Sequence, residues 1–298
     1  MNRKIIYIIN PISGKRAKSN LQEIIEEKTR SKRIAYRIYL SNPYGDYSNL
    51  RSEIEKESIT DIVIAGGDGT VSQVVGSLMD LDVRFGIIPC GSGNGLALAA
   101  KIPKQPEKAL EIIFRGHTEE TDGFLVNDIF ACMLTGIGFD GKVAHEFAHQ
   151  QKRGLGTYAK LVSKNFFSAD PYQFQIESNG LDFSVEAFFI SIANSNQFGN
   201  NFTIAPKALL SDGLLDIVVA KKTAKPLLLF NLINQILTGK LRNIKSSLDQ
   251  PIIYFQTDKI RIINMNKAPM HIDGDPAKTP DTVTITIKKK CFRLIQPA

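Results

Sequence analysis

The chain is poor in cysteine, in long apolar runs and in internal repeats, and each shortage excludes something. Cys90, Cys132 and Cys291 are its three cysteines in 298 residues. They are too few and too far apart for a disulfide framework or the paired spacing of a zinc site, which suits a reducing cytoplasm. The longest apolar candidate, Pro226 to Leu237, is broken by Asn231, Asn234 and Gln235. It is well short of the roughly 20 residues that a membrane-spanning helix needs. The first residues, Met-Asn-Arg-Lys-Ile-Ile-Tyr, lead directly into a strand-like run without a small-residue cleavage site, so export is not expected. No self-similarity at a period of about 20 to 50 residues points to a solenoid or propeller.

What remains has the composition of a globular protein, with 43% apolar and 22% charged residues. At roughly 150 residues per domain the length predicts two domains. The formal charge of +7 is uneven: residues 1–40 hold ten Lys and Arg against three Glu, which leaves 27 of each sign for the rest. Because these bases alternate with helix-forming Glu and Ile, they read as a solvated helix face. No RNP-like, zinc-finger or helix-turn-helix pattern accompanies them, so nucleic acid is not an expected partner.

Apolar β-branched runs at Lys4–Asn10, Ala35–Leu40, Ile62–Ala65 and Phe85–Ile88 alternate with helical stretches at Leu21–Lys28, Gly69–Met79 and Gly95–Lys101. This alternation predicts a parallel sheet covered by helices over residues 1–121. Beyond residue 122 the texture changes to short alternating or continuous apolar stretches bounded by Gly, Asp and Asn. It predicts a mainly antiparallel β-rich domain over 122–287, interrupted by helices at about 142–167 and 225–239.

Three loops at predicted strand ends carry the chemistry. Gly66-Gly67-Asp68-Gly69-Thr70 ends the third strand and opens a helix, so its backbone N–H groups are placed to hold an anion. Asp68 would repel a phosphate unless a magnesium ion lay between them, since that ion takes one or two carboxylates together with phosphate oxygens. Pro89-Cys90-Gly91-Ser92-Gly93-Asn94-Gly95 follows the fourth strand, and Asn10-Pro11-Ile12-Ser13-Gly14-Lys15 follows the first. Three such loops on the carboxyl edge of one sheet point to a nucleotide. None is a Walker A loop or a dinucleotide fingerprint.

These motifs, in this order, resemble those of the diacylglycerol kinase and sphingosine kinase superfamily, including the bacterial soluble lipid kinases. Asp212-Gly213-Leu214-Leu215-Asp216 and Asp273-Gly274-Asp275 match two further motifs in the second half. The resemblance implies an α/β nucleotide-binding domain and a C-terminal β-sandwich-like domain, with ATP between them and the last strands, from about residue 288, returning to the first domain. It implies nucleotide contacts at Asn10, Pro11, Ile12, Ser13, Gly14, Gly66, Gly67, Asp68, Gly69, Thr70, Val71, Ser72 and Ser92. Asp68 resembles the acid that organises Mg²⁺ and the transferred phosphate. A structural metal would fall on the Asp212 side chain with the carbonyls of Leu209 and Leu214. Asp275 takes the position of a general base, a task that an alternative division of labour gives to Asp68.

Two departures stand out. The family ends the Asp273-Gly274-Asp275 motif with Glu, and Asp275 is one methylene shorter, a loss of roughly 1.5 Å in reach against the ~1 Å misplacement that already costs catalysis heavily. Gly95-Leu96-Ala97 lacks the Asp that diacylglycerol kinases place after the Asn, which makes this stretch similar to the sphingosine and ceramide kinase branch.

The resemblance thus implies an ATP- and Mg²⁺-dependent kinase for a hydroxyl of a diacylglycerol-like or sphingoid lipid. Peripheral contact with the inner membrane face would follow, while dimerisation stays open. NAD kinase shares a Gly-Gly-Asp-Gly motif and is the nearest enzymatic rival; a catalytically silent lipid- or nucleotide-binding protein is the other. Lys221, Lys222, Lys225, Lys240, Arg242 and Lys245 flank the apolar stretch 226–237, as in an interfacial helix, though packing on the sheet is the reading favoured for it. His145-Glu146-x-x-His149 has the order of a zinc-protease motif but reads as a solvated helix face.

Overall fold

The computed structural model describes residues 3–13, 20–150, 155–196, 205–228 and 250–298. Four strands, β1 (Lys4–Ile9), β2 (Ala35–Leu40), β3 (Asp61–Gly66) and β4 (Arg84–Pro89), lie parallel in the order β2-β1-β3-β4. The continuous apolar runs of β1, β3 and β4 suit strands that are buried on both faces, while β2, at the sheet edge, is partly exposed. The covering helices are α1 (Leu21–Ser31), α2 (Arg51–Glu57), α3 (Asp68–Leu78), α4 (Gly95–Ala99) and α5 (Pro106–Arg115). Pro106 opens α5 at its first turn, and Gly116, in the left-handed region, closes it.

The second half is antiparallel. β5 (Thr118–Val126) and β6 (Ile129–Ala131) form a hairpin, and β7 (Leu134–Gly138) runs directly into α6 (Phe139–Ala148). A separate helix follows, α7 (Leu155–Phe166), then β8 (Tyr172–Ser178), β9 (Leu181–Ala193), β10 (Leu215–Lys221), β11 (Ile252–Thr257), β12 (Lys259–Asn264), β13 (Met270–Ile272), β14 (Asp275–Ala277) and β15 (Thr282–Ile295). The single helix expected over 142–167 is therefore two helices that pack on each other. Of the helix expected over 225–239, residues 225–228 begin helically and the rest lies outside the described residues.

The two halves share one hydrogen-bonded path, β14-β13-β7-β9-β8-β12-β15-β4-β3-β1-β2. β15 makes the join. Its first part pairs antiparallel with β12 and β5, while Arg293 and Leu294 pair in parallel with Arg84 and Phe85 of β4. A bulge between Lys288 and Phe292 separates the two stretches. One apolar core fills the parallel half and takes in Phe292, Leu294 and Ile295 of β15. A second lies among the antiparallel strands, and a third joins α6 and α7 to the outer face of that sheet. Among the described residues no helix is long and apolar enough to cross a membrane.

Candidate active site

At the carboxyl edge of the parallel sheet the three expected loops touch one another. Asn10 donates from Nδ2 to Thr70 Oγ1 at 2.8 Å, and its own Oδ1 accepts from the Ile12 N–H at 3.0 Å, which ties the first loop to the second. The N–H of Cys90 reaches the Gly66 carbonyl at 2.9 Å. A β-carbon on Gly91 would lie 2.6 Å from the Gly67 Cα, so the second and third loops meet backbone to backbone. Asn94 sits in the left-handed region and closes the third loop through Gly91, accepting from its N–H and donating to its carbonyl, both at 2.8 Å.

Asp68 is half-buried at the start of α3. Its carboxylate accepts from the N–H groups of Gly95 at 3.0 Å and Leu96 at 3.2 Å, which caps the N-terminus of α4. Burial pushes its pKa up to about 6, and the nearby charge of Asp273 adds to the rise.

Asp275 reaches this edge from the other half of the chain. Its Oδ2 rests on Gly69, where a β-carbon would collide with it. Pro276 confines the exposed Asp275 to extended backbone. Pro276 has no N–H to give a ladder, but β14 ends the sheet path and tolerates the loss. The preceding Asp273 and Gly274 both have positive φ, +48° and +86°, as a two-residue turn between β13 and β14 requires.

Asp273 belongs to the Asp273-Gly274-Asp275 motif, but the sequence assigns it no role of its own. It is buried, and its carboxylate accepts from the N–H groups of Cys132 at 3.1 Å, Met133 at 3.1 Å and Leu134 at 2.8 Å, and from the Ser72 hydroxyl. Burial raises its pKa. Each partner is more than 130 positions away in sequence, so no local motif announces the role.

The other candidate residues divide accordingly. Pro11 and Ile12 are exposed, Ser13 and Gly69 half-buried, and Ser92 exposed at the sheet edge. Gly66 packs on Thr70, which is buried. Val71 and Ser72 turn inward, and Ser72 spends its hydroxyl on Asp273. Gly14 and Lys15 lie outside the described residues.

The residues implied for a structural metal sit on a separate loop. Asp212 Oδ1 accepts from the Leu214 N–H at 3.0 Å, and Leu209 exposes its side chain. Buried Asp122 holds this loop by accepting from Gly213 at 2.7 Å and from Lys290 at 2.6 Å. Among the described residues no group of three or more His, Cys, Asp or Glu side chains is placed to hold a metal. His145 departs from the solvated helix face read for it: its Nε2 lies 3.0 Å from the Met270 carbonyl, while Glu146 accepts from Asn165 at 2.7 Å.

Two stability and activity tests follow from this geometry. Replacing Gly69 with Ala should lower activity by about 10² or more, since a shift of ~1 Å at a reacting group costs that much, with little loss of folding because the side chain met is an exposed carboxylate. An alanine variant of wild-type activity would show that Asp275 does not need the contact. The second concerns pH. Asp68 and the buried Asp216, the latter lifted to about 6 by burial, bind protons more readily folded than unfolded. Their contribution is therefore full below the unfolded value near 3.8 and lost as pH rises through 6. Metal-free protein should gain about 1–2 kcal/mol, a few degrees in Tm, between about pH 7.5 and 5.5. A Tm that falls steadily across that window would contradict it.

The fold and the meeting of three strand-end loops with an acidic hairpin define a kinase built from an α/β half and a β-sandwich-like half. The chain belongs to the diacylglycerol kinase family of lipid kinases: residues 4–126 match the diacylglycerol kinase catalytic domain, and residues 134–296 match the YegS C-terminal NAD kinase beta sandwich-like domain. It is 30% identical over 275 residues to a "Probable lipid kinase YegS-like" protein of Pectobacterium atrosepticum, covering 89% of this chain and 88% of that one. A diacylglycerol kinase of Bacillus subtilis is 27% identical over 278 residues, covering 91% and 89%. In fold it is similar to the crystal structure of a diacylglycerol kinase from Bacillus anthracis, with a TM-score of 0.73 at 20% identity over 99% of this chain and 97% of that one.

Proposed function

We propose that the chain transfers the γ-phosphoryl group of ATP to a hydroxyl of a diacylglycerol-like or sphingoid lipid at a membrane surface facing the cytoplasm. The observation that carries this reading is Asp275 lying on Gly69, one residue from Asp68, where a carboxylate from the second half meets the glycine loops of the first. In this reading the N–H groups of those loops hold the phosphates in line, because phosphoryl transfer depends chiefly on positioning and electrostatics. Asp275 accepts the proton of the lipid hydroxyl. Asp68 keeps the third loop folded and offers its carboxylate to the phosphate side.

The donors fit magnesium: Asp68 and Asp275 present hard carboxylate oxygens at the glycine loops, and the buried Asp273 carboxylate lies close enough to Asp68 to raise its pKa. When bound, that ion would neutralise charge on the transferring phosphates. A structural ion on Asp212 with the Leu209 and Leu214 carbonyls belongs to the same reading.

Membrane contact rests on Phe167 and Leu227, apolar residues exposed beside one another's segments, where Lys225 donates to the Phe167 carbonyl at 2.5 Å. Lys222 is engaged with Glu186 at 3.0 Å, and Lys240, Arg242 and Lys245 lie outside the described residues. The test is labelled ATP offered with vesicles of diacylglycerol, sphingosine, ceramide or monoacylglycerol, and with NAD in solution. Label in a lipid supports the proposal; label in NAD alone, or in nothing, rejects it.

A further inference from the structure

The hairpin that carries Asp275 is held from a second side by a pair that none of the sequence motifs contains. His271 in β13 and Asp140 at the start of α6 are both buried, at 2% and 6% exposure. Nε2 of His271 lies 3.0 Å from Asp140 Oδ2, and Nδ1 accepts the Gly274 N–H at 3.2 Å. A nitrogen that accepts must carry the lone pair, so in the neutral ring that receives Gly274 the proton is on Nε2, toward the carboxylate. Asp140 thus selects the tautomer that can receive Gly274.

The surroundings are built for the pair. Gly136 of β7 stands opposite His271 in the strand register, and any β-carbon there would collide with Asp140 and lie 2.6 Å from His271 Nε2. Met270, one residue before His271, meets His145 of α6 through its carbonyl, and a β-carbon on Gly141 would run into the Pro269 carbonyl. α6 therefore packs directly on the strand that leads into the turn. Asp273 stands in the left-handed region, a conformation that a non-glycine residue holds when its surroundings over-determine it. Its carboxylate fastens the turn to residues 132–134, and His271 fastens the following N–H.

We infer that the Asp140–His271 pair is a positioning device: by holding Gly274 it sets where the carboxylate of Asp275 stands over Gly69. The inference rests on the reading of Asp275 as the base, and its test separates the two. Asn places an oxygen near the position of Nδ1 and can accept from Gly274 without reaching Asp140; Gln extends toward Asp140 and leaves Gly274 unpaired; Ala does neither.

With labelled ATP and diacylglycerol or sphingosine vesicles, His271→Ala and His271→Gln should lower kcat by about tenfold to a hundredfold at unchanged ATP KM, the cost of a misplacement near 1 Å. His271→Asn should recover most of the loss. Amide exchange at Gly274 should speed up in the Ala and Gln variants and return toward wild type in Asn, whatever the acceptor. Ring ¹⁵N shifts should show the proton on Nε2.

If His271→Ala does not fold, the contrast between Asn and Gln still decides. Wild-type kcat in the Gln variant, or a proton found on Nδ1, overturns the inference. Should Asp275→Asn be inactive while Gln at 271 has full activity, positioning fails and the base survives. Should Asp275→Asn be fully active, the base fails, and the exchange pattern alone reports on the tie to Gly274.

Discussion

Asp275→Asn should reduce kcat by about 10² to 10⁴, the usual contribution of a general base, with the ATP KM nearly unchanged because the phosphate-side loops belong to the other half of the chain. The substitution keeps shape and size at an exposed position, so folding should survive and the loss should lie in chemistry. Glu at this position is the sharper probe. Asp275 Oδ2 already rests against the first turn of α3, leaving no gap for a further methylene in that direction. Asp275→Glu should therefore depress activity, since the hairpin has come close enough for the shorter acid to serve. Wild-type activity in both variants would make Asp275 a turn residue and send the search for a base to Asp68.

The second large effect belongs to Asp68, where activity and stability should separate. Asp68→Ala leaves the N–H groups of Gly95 and Leu96 without their carboxylate, at a cost of about 1–3 kcal/mol for groups so placed. Asp68→Asn can still cap one of them through its amide oxygen and should melt closer to wild type. Both should lose phosphoryl transfer by about 10³ or more, because neither supplies a charged oxygen where phosphate charge must be managed. Equal stability of the two variants would contradict the cap; near-normal turnover in Asn would remove Asp68 from the chemistry.

Much of the fold is legible in the chain because it is local. Period and punctuation place β1 to β4, and glycine at strand ends marks α3 and α4. The α5 helix, though bounded by Pro106 and Gly116, is missing from that reading, and β15 runs through the domain boundary expected at residue 287 because a bulge between Lys288 and Phe292 lets it exchange β12 for β4 while it stays paired with β5. The loops of the candidate site are equally local. What their motifs conceal is the support. Asp273, Ser72, Asp122, Asp140 and His271 act through partners across distant strands, so their meaning exists only after the chain has closed.

That closure has a consequence for how the protein is made. The parallel half cannot finish its sheet from its own residues: β4 keeps an open edge until Arg293 and Leu294 arrive beside it, and Phe85 lacks its edge-on ring partner, Phe292, at 6.0 Å. During synthesis the first four strands must therefore wait, with an unpaired and apolar border, while just over two hundred further residues leave the ribosome. Such a chain has a late, long-range closing step, so its folding should be slow for its size. The period of risk is this wait, and a helper that shields strand edges would serve it better than one that merely holds exposed helices apart.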